Sequence, residues 1–199
     1  MFQQKEQHFK GDSMKFRDNK NRCKWCNPKN ELYIKYHDEE WDIPNFDDNY
    51  LFEMLILESF QAGLSWECVL NKREDFRIAF DNFNLDQVCV YDEIKINELL
   101  SNEKIIRNKL KINSSINNAR IFKEIQIEYG TFYNYLNTFT NGKIIYEIGV
   151  TSSELSDNIS KDLKKRGMKF VGTTIIYSYL QAIGIIYSHD KECFMYKKK

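Results

Sequence analysis

Proline and glycine are scarce in this 199-residue chain, at two and eight, while aromatic residues make up 15%. So few turn-formers argue against a turn-rich β fold and for an all-α, aromatic-rich one. Net charge is missing as well, because 29 basic residues meet 29 acidic ones. No global field advertises a polyanionic partner, so any basic surface must be local. Long apolar runs are absent, and none approaches the ~20 residues that span a bilayer. The opening residues, MFQQKEQHFKGDS, lack the apolar stretch of a secretory signal, and the expectation is a cytoplasmic protein without membrane contact. Five cysteines, an odd number, suit core thiols or metal ligands in a reducing compartment better than a disulfide framework. Nothing repeats and no Gly-rich phosphate loop occurs. Residues 1–20 are polar and aperiodic and read as a flexible extension, in which His8 carries little meaning and Met14 is an alternative start. Residues 21–196 read as a single helical domain.

What is present begins with residues 51–66, LFEMLILESFQAGLSW. Met54, Leu55, Ile56, Leu57, Ala62 and Leu64 surround Glu58, so the segment is apolar on nearly every helical face and predicts a buried helix. Glu58 then stands as a lone acid where the pattern asks for an apolar residue. A buried carboxylate is either paired with a Lys or Arg or kept for a ligand, and the helix alone leaves both readings open. Asp47 and Asp48 can cap this helix, and Gly63 predicts a left-handed turn that aims Trp66 back toward the acid. Just upstream, residues 21–41 place Trp25, Tyr33, Tyr36 and Trp41 beside Cys23, Cys26 and His37, either a small core or a stacking pocket.

Further helices are predicted from Ser65 to about Phe80, over 84–90, over 93–100, from about Asn102 to Tyr129 with Gly130 as its stop, and over 132–139. Residues 143–155 read as a connecting loop, and Cys68 and Cys89 as buried thiols. Then DNISKDLKKRG, MKFVG and TTIIYSYLQAIGII predict a helix ended by Gly167, a tight connection, and a second helix capped by Thr173. Such a helix-hairpin-helix, bounded by Gly167 and Gly172, offers free backbone N–H groups to a phosphodiester, with Lys164, Lys165, Arg166 and Lys169 nearby. Charged helical hairpins also occur in proteins that never touch DNA. Finally, His189 and Cys193, four apart in SHDKEC, share one face of a helical turn. With Cys23 and His37 they supply two thiols and two imidazoles for a tetrahedral Zn2+ site that would staple the chain's two ends together. Cys26 is a rival ligand, because Cys23 and Cys26 have knuckle spacing, and solvated histidines with core thiols remain the bland alternative.

Arg22-Cys23 with Trp25, LYIKYHDEEW (32–41), LFEMLILESFQAGLSW (51–66), LKKRGMKFVGTT (163–174) and His189 with Cys193 resemble, in that order, the DNA-3-methyladenine glycosylase I family over residues 21–193. The resemblance implies an all-helical helix-hairpin-helix glycosylase fold with a structural zinc. It implies a monofunctional enzyme, expected to be a monomer, that flips 3-methyladenine out of alkylated double-stranded DNA, hydrolyses its N-glycosidic bond and releases free 3-methyladenine. By the same resemblance Cys23, His37, His189 and Cys193 hold the zinc, while Glu58, Tyr36 and Trp66 contact the extruded base. Trp25, Tyr33 and Trp41 complete the aromatic walls. Phe60 stands where a polar residue is expected and would alter the pocket rim.

The chemistry fits that reading on its own terms. A base inside a duplex must be extruded to be reached, and a cationic base favours electron-rich rings and a buried carboxylate. Leu64, at the tip of the sharp turn, is a candidate wedge for the vacated stack, with core packing as its alternative. Lys165, Lys169, Gly167, Gly172 and Thr173 are the candidate DNA-backbone contacts. Asp190 is expected to orient His189 rather than to catalyse. A glycosylase-lyase would need an uncharged lysine in the cleft, and Lys35 lies on a polar face. A non-enzymatic DNA-binding module with a structural zinc is the competing class, although it would need no buried acid among aromatics.

Overall fold

The structure, a computed structural model, describes residues 16–197. Of the predicted extension only residues 16–20 fall within it, and His8 and Met14 lie outside the described residues. The described part is built from helices α1 (Glu31–Glu39), α2 (Asp48–Gln61), α3 (Trp66–Leu70), α4 (Arg73–Ala79), α5 (Leu85–Val88), α6 (Glu93–Ser101), α7 (Lys109–Tyr129), α8 (Phe132–Thr140), α9 (Glu154–Lys165) and α10 (Thr173–Ala182). Two short strands, β1 (Ile145–Tyr146) and β2 (Ile186–Tyr187), pair in parallel.

Helix α2 is the centre. Every residue from Leu51 to Phe60 is buried, and α3, α7, α8 and α10 all pack on it. Its apolar side chains meet aromatic partners edge to face: Phe52 on Phe122 at 5.4 Å, Phe60 on Phe76 at 4.7 Å between ring centroids. Phe60 is therefore a core residue, not a modifier of any pocket rim. The helix also buries two acids rather than one. Glu53 is the paired one, taking Arg73 at 2.5 Å and Arg77 at 2.9 Å, while Arg73 reaches Glu40 at 2.6 Å. Only one of the predicted caps works as such. Asp47 accepts from Asn49 and Tyr50 N–H, whereas Asp48 turns to the Phe132 N–H and the Gln126 amide and ties α2 to the α7–α8 corner.

Several predicted boundaries move, each for a local reason. The helix expected from Ser65 to Phe80 breaks at Asn71–Lys72, where the Asn71 side chain accepts from Asn30. The long helix begins at Lys109, not Asn102, because Asn102 and Asn108 each spend their side-chain oxygen on a nearby N–H, the bonding that favours turns and caps over helix interiors. Residues 143–155 contain β1 rather than loop alone. The last helix stops at Ala182 instead of running to Ile186: Gly184 has φ +74°, and a Cβ there would lie 2.4 Å from the Pro44 nitrogen. Thr173 is not a cap. Gly172 occupies the N-cap position, and the Thr173 hydroxyl bonds to Ser156 Oγ of α9 at 2.8 Å. Residues 189–193 form turns rather than helix, with the Cys193 N–H on the Asp190 carbonyl.

Candidate functional site

Four elements converge on one cavity of about 380 Å³. From α1 come Tyr33 and Tyr36, set three apart on its buried face and started by Asn30, whose side chain accepts from the Leu32 and Tyr33 N–H groups. Asn30 also donates to Glu67 at 2.8 Å, which locks α1 against α3. The end of α2 contributes Glu58 and, one turn on, Gln61. Gly63, with φ +80°, reverses the chain, and Ser65 caps the short helix that presents Trp66. Tyr36 and Trp66 stand 5.3 Å apart, tilted at 48°. Trp25 packs 5.1 Å from Tyr33 and 4.7 Å from Trp41, closing the aromatic wall. The structure thus brings all six sequence-predicted pocket residues together. It adds members that no pattern marked: Gly149, Val150 and Thr151 after β1, and Ser178 and Gln181 on α10.

Glu58 has no cation. It is 3% exposed and forms no ion pair among the described residues, and its Oε2 has no hydrogen-bond partner. Burial alone pushes its carboxyl up to about 8, and Tyr36 beside it is held above the ordinary tyrosine range. Gln61 Oε1 and Trp66 Nε1 are buried and unpartnered in the same cavity. Three orphaned polar atoms among rings are costly to leave unmet and mark a surface prepared for a polar, planar guest. The salt-bridge alternative for Glu58 is thereby overturned, because the arginines of this region are spent on Glu53 and Glu40.

Behind the same wall lies the sulfur and imidazole cluster. The ligand atoms of Cys23, His37, His189 and Cys193 all lie within 4.8 Å of one another, and all four residues are buried. Cys23 Sγ is 3.4 Å from His189 Nδ1, and Cys193 Sγ is 3.5 Å from His37 Nε2 and from His189 Nδ1. Those separations are the edges expected of a tetrahedron with metal bonds of about 2.0–2.3 Å. His37 carries its other nitrogen on Asp38 at 2.8 Å, and Arg22 grips Asp38 at 2.6 Å. Cys26 points elsewhere, toward the Tyr33 carbonyl, and is not part of the cluster. Asp190 does not orient His189; its carboxylate accepts from the Lys24 N–H and its own N–H donates to Cys23 Sγ at 3.3 Å. Trp41 meets His189 edge-on at 4.8 Å, so cluster and cavity share a wall.

The hairpin between α9 and α10 is a separate face. Lys164, Lys165 and Lys169 are exposed on it, and no hydrogen bond among the described residues uses the N–H of Phe170, Val171 or Gly172. Not every expected group is available there: Arg166 lies beside the hairpin but is held by Glu128 at 2.6 Å and Asp162 at 2.7 Å, and the Lys169 N–H is taken by Asn118. Asn118, fully buried, grips both backbone groups of Lys169 and sets the shape of the hairpin, a role without a sequence signal. Leu64 is 43% exposed at the tip of its turn, not packed in the core.

The state of Glu58 has a measurable cost. Its folded pKa lies above the unfolded value of about 4.5, so the native state keeps a proton that the unfolded chain releases, and stability falls as pH rises between about 4.5 and 8. Glu58→Gln does not titrate. Chemical denaturation at pH 5 and pH 8 is expected to show the variant gaining on wild type by on the order of 3 kcal/mol between the two; a constant difference would mean that Glu58 is compensated.

The family model described as methyladenine glycosylase matches residues 25–196. DNA-3-methyladenine glycosylase 1 of Escherichia coli (strain K12) is 41% identical over 181 residues, covering 88% of this chain and 96% of that protein. A crystal structure of 3-methyladenine DNA glycosylase I superposes with a TM-score of 0.85 at 40% identity, covering 89% of this chain and all of that one. A Tyr-to-Phe variant of 3-methyladenine DNA glycosylase I, solved in complex with 3-methyladenine, gives 0.84 at 32% identity, over 89% of this chain and 98% of that one. With nearly the whole described chain matched in sequence and in fold, the protein belongs to the methyladenine glycosylase family.

Proposed function

We infer that this chain is a monofunctional DNA glycosylase that extrudes 3-methyladenine from alkylated duplex DNA and hydrolyses its N-glycosidic bond. The observation that carries the reading is the buried acid Glu58, without a cation among the described residues and with an unpartnered Oε2, in a cavity walled by Tyr36, Trp66, Trp25, Tyr33 and Trp41. A neutral adenine offers such a site stacking and ordinary hydrogen bonds but no charge. Methylation at N3 makes the base cationic, and the cation gains stacking on electron-rich rings and a charge-assisted hydrogen bond to the carboxylate. In the empty pocket Glu58 is mostly protonated at neutral pH; a cationic guest pulls its pKa back down, and binding releases a proton. Gln61 and Trp66, with unpartnered atoms in the same cavity, read the rest of the base edge.

The lesion itself supplies much of the driving force. When C1′–N9 breaks, the bonding pair moves onto the base and quenches its charge, so neutral 3-methyladenine leaves; water adds to C1′ and gives up a proton. Little general-acid help is needed, which agrees with a site whose second carboxylate, Asp190, is engaged by the Lys24 N–H. No lysine lines the cavity among the described residues, so a Schiff-base lyase step has no nucleophile there. A non-enzymatic module leaves the orphaned acid unexplained.

Cys23, His37, His189 and Cys193 are the residues that would hold a structural zinc ion. The donor set, the separations between donors and the Asp38 support of His37 all suit it. Bound there, the ion would take both sulfurs as thiolates, against the burial that holds the Cys23 thiol well above its ordinary range, and would fix the Trp25–Trp41 wall against the C-terminal segment. The α9–α10 hairpin, read as a helix-hairpin-helix, would take the DNA backbone on the N–H groups of residues 170–172 with Lys165 and Lys169 alongside. Gly167 and Gly172 give it the close approach, and Thr173, bonded to Ser156, opens the helix behind it. Leu64 would fill the stack that the extruded nucleotide leaves.

Base release, metal content and DNA affinity each test this reading. Incubation with methylated duplex DNA should release 3-methyladenine, identified by chromatography, and elemental analysis should find about one zinc per chain, with Cys193→Ser melting well below wild type. Release of no methylated base would contradict the activity, and a zinc-free protein the metal. Lys165→Gln with Lys169→Gln should lower the slope of log affinity for duplex DNA against log salt by about 1.8, roughly 0.9 for each phosphate that is no longer neutralised. An unchanged slope would place the DNA on another face.

A further inference from the structure

The C-terminal end of α2 is closed by a side chain fifty residues away. A helix leaves its last carbonyls without intrahelical partners, and here the chain turns off at Ala62 and Gly63 before they can be met. The carbonyls of Phe60 and Ala62 both accept from Lys111 Nζ, at 2.8 Å and 2.6 Å. Lys111 sits in the first turn of α7 and is 6% exposed. It forms no ion pair among the described residues, and the centre of the Phe170 ring lies 5.9 Å from Nζ. A buried ammonium without a counter-ion is costly, and only the partial negative charge at the helix end offsets it. Desolvation accordingly holds its pKa below that of an ordinary lysine. The location of this cation is informative. Glu58 and Gln61 stand on the last turn of the helix that it closes, Leu64 follows the carbonyl it grips by two residues, and Phe170 belongs to the α9–α10 hairpin.

We propose that Lys111 is a positioning residue: by clamping the carbonyls of Phe60 and Ala62 to the start of α7, it fixes the Leu64 turn relative to the hairpin. The two DNA-facing pieces then keep one spacing while a nucleotide is held extruded between them. The proposal rests on the glycosylase reading above. Lys111 is outside the cavity and touches neither the base nor the reacting bond, so its effect falls on extrusion rather than on recognition of the base.

The test combines single-turnover release of 3-methyladenine from methylated duplex DNA with fluorescence titration of the free base. Lys111→Met keeps the apolar stem and removes both hydrogen bonds. It is expected to slow release at least about tenfold while free-base affinity stays within about twofold, a split that loss of fold would not produce. Combined with Leu64→Ala, it should be no slower than the slower single variant, because both act through one turn. Lys111→Arg, which can donate to both carbonyls, should stay within about threefold of wild type. If the Met variant does not fold, Lys111→Gln keeps one donor; slowed release with intact base binding supports the clamp, and release at the wild-type rate overturns it. The clamp is equally overturned by Lys111→Met at the wild-type rate, by losses that multiply with Leu64→Ala, or by free-base affinity falling in parallel with rate. Wild-type protein that releases no base overturns the glycosylase reading and the clamp together, whereas an active wild type matched by Lys111→Met overturns the clamp alone.

Discussion

A carboxyl group held inside a protein without a cation is expensive, and the arrangement around Glu58 keeps it so. Every arginine near α2 is committed: Arg73 and Arg77 to Glu53, Arg73 again to Glu40. Glu53 and Glu58 lie five residues apart on one buried helix and have opposite fates. The first is compensated by guanidinium groups on α4 and serves the fold; the second faces a cavity and is left to be compensated by a guest. The same segment thus contains its own control for what a structural acid looks like.

The rest of the molecule holds that acid in place. Burial of ten consecutive residues of α2 makes the helix immobile, and Asp48, Lys111 and the Phe60–Phe76 contact anchor it at both ends. The aromatic wall cannot be held by α1 alone, a helix of nine residues. Asn30 ties it to α3, and the cluster of Cys23, His37, His189 and Cys193 gathers the chain's two ends behind Trp25 and Trp41. The Cys and His cluster and the pocket are therefore mechanically one unit, although none of the four cluster residues lines the cavity.

How much of this was legible in the sequence depends on the range of the interaction. The ends marked by a clear cap or glycine stop were read correctly, as with the Ser65 cap and the Gly130 stop, although the far end of each of those two helices was not. The pocket aromatics, Glu58 and the four metal-type residues were legible because the family resemblance marks them, and the structure brings each set together. What could not be read was set by contacts across the chain. The breaks at Asn71 and before Asn108 come from side chains that bond locally or to Asn30, and periodicity does not register them. The end of the last helix is dictated by the approach of Pro44 to Gly184, 140 residues apart in sequence. Glu53 was passed over because an acid five residues before Glu58 looks the same in sequence whether or not an arginine waits opposite. Phe60 and Asp190 were misplaced for the same reason: their partners lie far along the chain or on a neighbouring helix.

The central claim is that Glu58 is neutral by burial and reserved for a cation, and its own titration measures that most directly. Carbon-13 resonances of the glutamate side-chain carboxyls, with Glu58 assigned by its loss in Glu58→Gln, should show one group titrating near pH 8 in the free protein. On adding 3,9-dimethyladeninium, a cationic base with methyl in place of the sugar, that midpoint should fall by at least about one unit, the equivalent of 1.4 kcal/mol of charge pairing. A midpoint near the ordinary 4.5 in the free protein, or one unmoved by the cation, would contradict the account.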